Sequence, residues 1–312
     1  MRYPLVCIII LNWNGKELLK KCLSSLISLT DYPNYKVIVV DNGSTDGSVE
    51  FVKKNYPNVD VLALDKNYGF TGGNNRGIVY VIKKYNPKYV LLLNNDTEII
   101  ERDWLKKLVE TAESNKRIGI VGCKLLYPDR TIQHAGIKIT FLSEHIGRYE
   151  SEDKYSEIRS VGAVTFACVL IKKEVFEKIG LLDETFFAGH EDLDFCHRAR
   201  KNGFLVVYNG KTKLIHYESV TVKKIFSEKK WYMERFGGFV IALRYYNFLY
   251  FLFVLFVYIF QSFFERRNPK ISITSLLNLK PRKNFIKALI LTLIALKNSL
   301  IYFKFYKNSY LF

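Results

Sequence analysis

Between residues 6 and 96, short apolar runs alternate with amphipathic stretches. VCIIIL (6–11), VIVVD (37–41), VDVLAL (59–64) and YVLLLNND (89–96) are short and rich in aliphatic, often β-branched residues, so they read as strands. Between them the spacing predicts helices over 18–29, 48–55 and 74–84. Continuously apolar strands separated by helices imply a mostly parallel sheet covered on both faces, a Rossmann-like α/β arrangement. In such sheets a ligand sits beyond the carboxyl ends of the strands.

The polar clusters fall at those ends: Asn12-Trp13-Asn14-Gly15, Asp41 to Gly47, and Asn94-Asn95-Asp96. From 119 to 219 the pattern becomes mixed, with strands expected at 118–123 and 161–171 and short helices at 173–179 and 192–202. This segment reads as the second half of the same domain, which is expected to span 1–222. Beyond it, 223–312 contains two long apolar stretches, 245–260 and 285–303, the second interrupted by Lys287 and Lys297.

Charge sharpens the picture of that last segment. The chain of 312 residues carries +17, and residues 220–312 hold 16 Lys and Arg against Glu228, Glu234 and Glu265. Basic residues embedded in Phe, Leu, Tyr and Ile suit anionic lipid better than nucleic acid. A monotopic helical hairpin lying on the membrane is therefore expected, with a buried helical pair in a homodimer as the alternative. The apolar stretch 5–11 has no small-residue cleavage site and no spanning length, so residues 1–222 are expected at the cytoplasmic face of the cell membrane. Five cysteines without metal-type spacing read as free thiols, Cys7 and Cys168 among them within buried strands.

Four clusters carry candidate chemistry. The segment 41–47 precedes a helix and could face an anion or a polar ring, with Asp41 accepting from an imide N–H; an ordinary turn with an N-cap has the same composition. Asn67 to Gly77 packs four glycines into nine positions, which suits close approach of backbone to a ligand. Asp96 at a strand end can hold a hard divalent cation, or Asn94 to Thr97 can cap the helix ahead of Trp104. In GHEDLDFCHR, Glu191, Asp192 and Asp194 crowd one helix start, which either raises a carboxyl to general-base range or complements the helix dipole. His216 could complete a metal site with Asp96.

Taken in order, ILNWNG, VIVVDNGSTDGS, NYGFTGGNNRG, LLLNNDTEI, FFAGHEDLDFCHRARKNGF and IHYES resemble the family-2 inverting glycosyltransferases of the GT-A fold, especially their rhamnosyltransferase-like branch. The likeness covers residues 4–220. It implies a nucleotide-sugar site of Asn12, Asn14, Asp41, Gly43, Ser44, Asn67, Gly69, Gly72, Gly73, Asn74 and Asn95, with Asp41 on the pyrimidine base. Asp96 would be the acid of the metal motif and His216 a further ligand for Mg2+ or Mn2+. Asp192, in the Glu191–Asp192 pair, would be the base that deprotonates an acceptor hydroxyl for a single inverting displacement.

Two departures stand out: Asn94 occupies the place of a first metal-motif acid, and Phe166-Ala167-Cys168 replaces a Gly-Ala pair before the strand that floors the acceptor site. The expected partners are a dTDP- or UDP-sugar, a glycan or polyprenyl-linked acceptor, and an anionic membrane, with no nucleic acid. A non-catalytic nucleotide-sugar-binding scaffold and a sugar nucleotidyltransferase are the rival readings. The first would tolerate loss of Asp96, Asp192 and His216, and the second calls for a Gly-rich, Lys- or Arg-bearing triphosphate loop near the N-terminus.

Overall fold

The computed structural model describes residues 3–139, 143–218, 227–266, 279–281 and 285–309. The chain divides into two compact units, Met1–Val220 and Thr221–Phe312. The boundary expected at 222/223 lies outside the described residues, as do Arg267, Pro269 and Lys270 of the basic segment.

The first unit is built on β1 (Val6–Asn12), β2 (Tyr35–Asp41), β3 (Asp60–Ala63) and β4 (Tyr89–Asn94), which pair in parallel in the order β3-β2-β1-β4. Intervening helices are α1 (Lys16–Leu29), α2 (Ser48–Asn55) and α3 (Gly69–Tyr85). After β4 come β5 (Thr97–Ile99), α4 (Trp104–Glu113), β6 (Ile118–Leu126), β7 (Ile132–His134), β8 (Ile137–Lys138), β9 (Glu144–His145), β10 (Ile158–Ser160), β11 (Cys168–Lys172), α5 (Lys173–Ile179), α6 (Glu191–Lys201) and β12 (Leu205–His216). The sequence expectation of a mostly parallel sheet holds from β3 to β4. Beyond that, β11 runs antiparallel to both β4 and β6, while β6 and β12 are parallel.

Alternate residues of each strand serve opposite faces. Val6, Ile8 and Ile10 pack with Leu19, Leu23, Trp104 and Leu105, whereas Cys7 and Ile9 pack with Ile78, Val81, Phe195 and Ala199. Helices therefore cover both faces, and the polar strand ends are left at the rim. All five cysteines are buried and free.

Three local expectations are corrected. The glycine-rich segment is helical from Gly69, five residues before the expected start, because its glycines let a helix lie close on the sheet. A Cβ on Gly77 would stand 2.7 Å from Val40 Cγ2 and 3.0 Å from Ile9 Cγ2, and one on Gly73 would stand 2.5 Å from Leu11 Cδ1. The run 161–171 is not one strand: Val161 N–H donates to Val206 O at 2.9 Å and Ala163 N–H to Ile137 O at 3.2 Å, so the chain changes partners before β11. Asp96 caps no helix, since β5 intervenes and α4 starts after Asp103.

In the second unit, α7 (Ser227–Tyr245), α8 (Phe248–Phe263) and α9 (Phe285–Ser309) meet around Phe239, Ala242, Phe251, Val254 and Ala295. Two short strands, β13 (Phe264–Arg266) and β14 (Leu279–Pro281), pair antiparallel. Phe248, Leu249, Phe256 and Ile286 are exposed at 62–74%. Among the described residues no helix is long and apolar enough to cross a membrane.

Candidate active site

The register of the parallel strands sets the polar edge of the sheet. Asn12 lies opposite Asp41, and Leu11 opposite Asn94, so three polar strand ends stand level at one edge. Asp41 is buried; its Oδ1 accepts from Ser44 N–H at 2.8 Å and its Oδ2 from the Asn12 amide at 3.2 Å. Asn14 N–H donates to Ser44 Oγ at 2.9 Å, and Asn14 Oδ1 accepts from Thr45 N–H at 2.8 Å. Asn95 donates to Asn12 Oδ1 at 2.8 Å. Each of these amides and carboxylates braces the loop after the neighbouring strand.

Gly43 is required by this bracing, since its φ is +75° and a Cβ would come within 2.7 Å of the Lys66 Cα. The Asn42 amide then ties the loop to the start of α3, donating to Asn67 Oδ1 and to Gly69 O, both at 3.0 Å, and accepting from Tyr68 N–H at 3.0 Å. Gly69 itself, with φ +78°, would place a Cβ 2.6 Å from Phe187. The first turn of α3 is thereby held against the segment that leads into α6. Asn74 is buried and donates to Phe70 O at 2.9 Å, and a Cβ on Gly72 would meet Tyr68, Arg76 and Glu184 at 3.0–3.3 Å. These contacts fix the first turn of α3 beside the loop after β2. Gly69, Gly72 and Gly73 have protein atoms where a side chain would begin.

The structure brings Asp96 and His216 together. His216 ends β12, whose last residues pair with β5, so it returns to the strand end that carries Asp96. Its Nε2 lies 3.1 Å from Asp96 Oδ1 and 3.4 Å from Asn94 Nδ2, and its Nδ1 lies 2.6 Å from Gln133 Oε1. Among the described residues no group of three or more His, Cys, Asp or Glu forms a complete protein cage for a metal. A carboxylate and an imidazole nitrogen at one rim do fit a divalent cation that takes its remaining oxygens from a diphosphate and water. Sequence reasoning missed Gln133 and Asn42; the signal for Gln133 was a polar Gln-His pair inside a buried strand.

The acid cluster occupies the first turn of α6. Glu191 is 7% exposed, and burial pushes its carboxyl up to about 8, with the charge of Asp192 adding to the rise. Burial raises Asp192 to about 6, although its Oδ1 accepts from Leu193 N–H at 2.8 Å. Asp194 is fully buried and paired with Arg198 Nε at 2.8 Å. Desolvation thus outweighs the helix dipole at Glu191 and Asp192, and the third acid serves structure. The cluster connects to the end of β4 through Phe195, whose ring lies 5.8 Å from that of Phe166, and through Ala167 O, which accepts from Asn94 N–H at 2.9 Å.

Residues 7–180 match the family model described as glycosyl transferase family 2. The O-antigen biosynthesis protein RfbC of Myxococcus xanthus is 32% identical over 71% of this chain, which corresponds to 18% of that protein. A second relative, from Sinorhizobium fredii, is matched over 25% of its length, so the chain spans a small part of both. The N-acetylglucosaminyl-diphospho-decaprenol L-rhamnosyltransferase of Mycobacterium tuberculosis is 26% identical over 64% of this chain and 72% of that protein. Among solved structures, the mannosyltransferase PcManGT from Pyrobaculum calidifontis, in complex with GDP-Man and Mn2+, superposes with a TM-score of 0.58 at 15% identity, over 96% of this chain and 76% of that one. The chain belongs to glycosyl transferase family 2, and its first unit has the GT-A-like mixed α/β fold.

Proposed function

We propose that the chain is an inverting glycosyltransferase that moves a sugar from a dTDP- or UDP-sugar to a hydroxyl of a glycan or lipid-linked acceptor. The observation that carries this reading is the meeting of Asp96 and His216 at 3.1 Å on the same sheet edge as the Asn12–Asp41–Ser44 bracing. Asp96 and His216 would hold Mg2+ or Mn2+. That ion, when bound, would offset charge on the departing diphosphate. The strand-end amides and the start of α3 hold the nucleotide.

Asp192 takes the proton of the acceptor hydroxyl while that oxygen bonds to the anomeric carbon. The carbon–diphosphate oxygen bond breaks on the opposite face, so configuration inverts. The different environments of the two acids assign the roles: near neutral pH Asp192 is the ionised one and Glu191 holds its proton. The test is a screen of nucleotide-sugars for nucleoside diphosphate release with Mg2+ or Mn2+. Asp192→Asn should lose turnover and keep nucleotide affinity; an active Asp192→Asn enzyme would overturn the assignment.

The second unit supports a further part of the proposal, docking on the anionic cytoplasmic face of the cell membrane near a polyprenyl-linked acceptor. Exposed Phe248, Leu249, Phe256 and Ile286 would enter the headgroup boundary beside the lysines and arginines of this segment. Sedimentation with phosphatidylglycerol vesicles, weakened by salt and absent with phosphatidylcholine alone, is the expected result. Indifference to lipid charge would count against it.

A further inference from the structure

We propose that Gln133 is a positioning residue that fixes the tautomer of His216, so that its Nε2 lone pair faces the cation site; this rests on the metal reading above. Gln133 is buried on β7, 6% exposed. Its amide nitrogen faces two acceptors, the backbone oxygen of His216 and Oε2 of Glu218, each at 3.4 Å. An amide NH2 can only donate, and its carbonyl oxygen can only accept. The orientation that satisfies both contacts puts Oε1 against His216 Nδ1 at 2.6 Å, so Nδ1 must carry the hydrogen.

The opposite ring nitrogen is then the one with a lone pair in the neutral imidazole. It is also the nitrogen that stands 3.1 Å from Asp96 Oδ1 and 3.4 Å from the Asn94 amide. Asn94 Nδ2 can donate to that lone pair. The same geometry presents the lone pair beside a carboxylate oxygen, as a shared cation requires.

The orientation of Gln133 is itself held from behind. Arg148 Nη2 donates to both carboxylate oxygens of Glu218, at 3.1 and 3.2 Å, and Arg148 Nε donates to the Tyr127 hydroxyl at 2.8 Å. The guanidinium lies 5.9 and 5.4 Å from the rings of Tyr127 and Tyr149, which stack on each other at 5.3 Å. Turning the Gln133 amide over would aim its carbonyl oxygen at two acceptors and its NH2 at a ring nitrogen. Along Arg148–Glu218–Gln133–His216 the donations converge on Glu218: Arg148 donates to it from one side and Gln133 from the other, while His216 Nδ1–H donates to Gln133 Oε1.

The experiment uses the full chain labelled with 15N-histidine, with His216 signals assigned by their loss in His216→Gln. With Mg2+ and UDP bound, long-range 1H–15N spectra should show the hydrogen of the His216 ring on Nδ1, facing Gln133 Oε1, and none on Nε2. Gln133→Met keeps length and removes the acceptor; it should shift the ring toward Nε2–H and lower Mn2+ affinity roughly 10–100-fold, read by electron paramagnetic resonance of free Mn2+. A wild-type ring that carries its hydrogen on Nε2 in that complex overturns the proposal without any variant, so a poorly folding Gln133→Met does not protect it. Equal Mn2+ binding by wild type and Gln133→Met overturns the role of Gln133 alone. Failure of the wild type to bind Mn2+ with nucleoside diphosphate present overturns the metal reading beneath it as well.

Discussion

Replacing Glu191 with Gln should stabilise the first unit at alkaline pH and have a much smaller effect at acid pH. The carboxyl is 7% exposed and its pKa rises from the ordinary 4.5 to about 8, chiefly through burial. A carboxyl whose folded pKa is raised binds its proton more tightly in the native state. It therefore costs no stability below about pH 4.5, and the cost grows as pH climbs toward 8. At 1.36 kcal/mol per unit the whole shift sets a ceiling of about 5 kcal/mol. Gln removes the charge but still buries a polar amide, so the expected recovery at pH 8 is about 1–3 kcal/mol. For a unit of this size that is a rise in Tm of roughly 2–12 °C. Thermal melts of wild type and Glu191→Gln at pH 5 and pH 8, followed by circular dichroism, measure the difference. A difference that does not grow with pH, or a Gln variant less stable at pH 8, would refute the idea that Glu191 is held protonated by its surroundings.

The remaining expectations concern neighbouring parts of the same unit. Because Asp192 is raised to about 6 and must be ionised to act as base, kcat/KM should fall about tenfold per pH unit below that value; a profile flat between pH 5 and 7 excludes it as the titrating base. Arg198→Met removes the cation facing fully buried Asp194 and the hydrogen bonds at 2.8 and 3.0 Å to Ile179 O and Leu181 O. It should cost about 3–5 kcal/mol in chemical denaturation, and a loss below about 1 kcal/mol would contradict the pairing. Gly77→Val should destabilise by at least about 1–3 kcal/mol, because its Cβ alone would meet Val40 and Ile9 side chains at 2.7 and 3.0 Å; a neutral result in the same assay would show that α3 can lift from the sheet.

How far the sequence carried this structure differs between its two kinds of signal. Periodicity located β1, β2 and β4, since strands buried on both faces leave long apolar runs, and their polar ends marked the rim where Asn12, Asp41 and Asn94 stand level; β3, at the sheet edge, is only partly buried. Chemistry that depends on strand pairing was less visible. That His216 returns to Asp96 follows from β12 pairing with β5, about 120 residues of chain apart; their residue types suggested a shared cation in advance, but no periodic pattern showed that the two strand ends meet. The glycines of α3 carried a signal with two meanings. Small residues permit approach of a ligand or of a sheet, and here Val40, Ile9 and Leu11 take the space at Gly77 and Gly73. Gln133 was hidden because β7 is only Ile132–His134, too short for a periodic signature, and the meaning of its polar Gln-His pair appears only once the acceptors and the His216 ring surround the amide. The residues that align the chemical groups are therefore harder to read from sequence than the groups themselves. A motif records which side chains act, while the direction of each hydrogen bond around them is set by the tertiary structure.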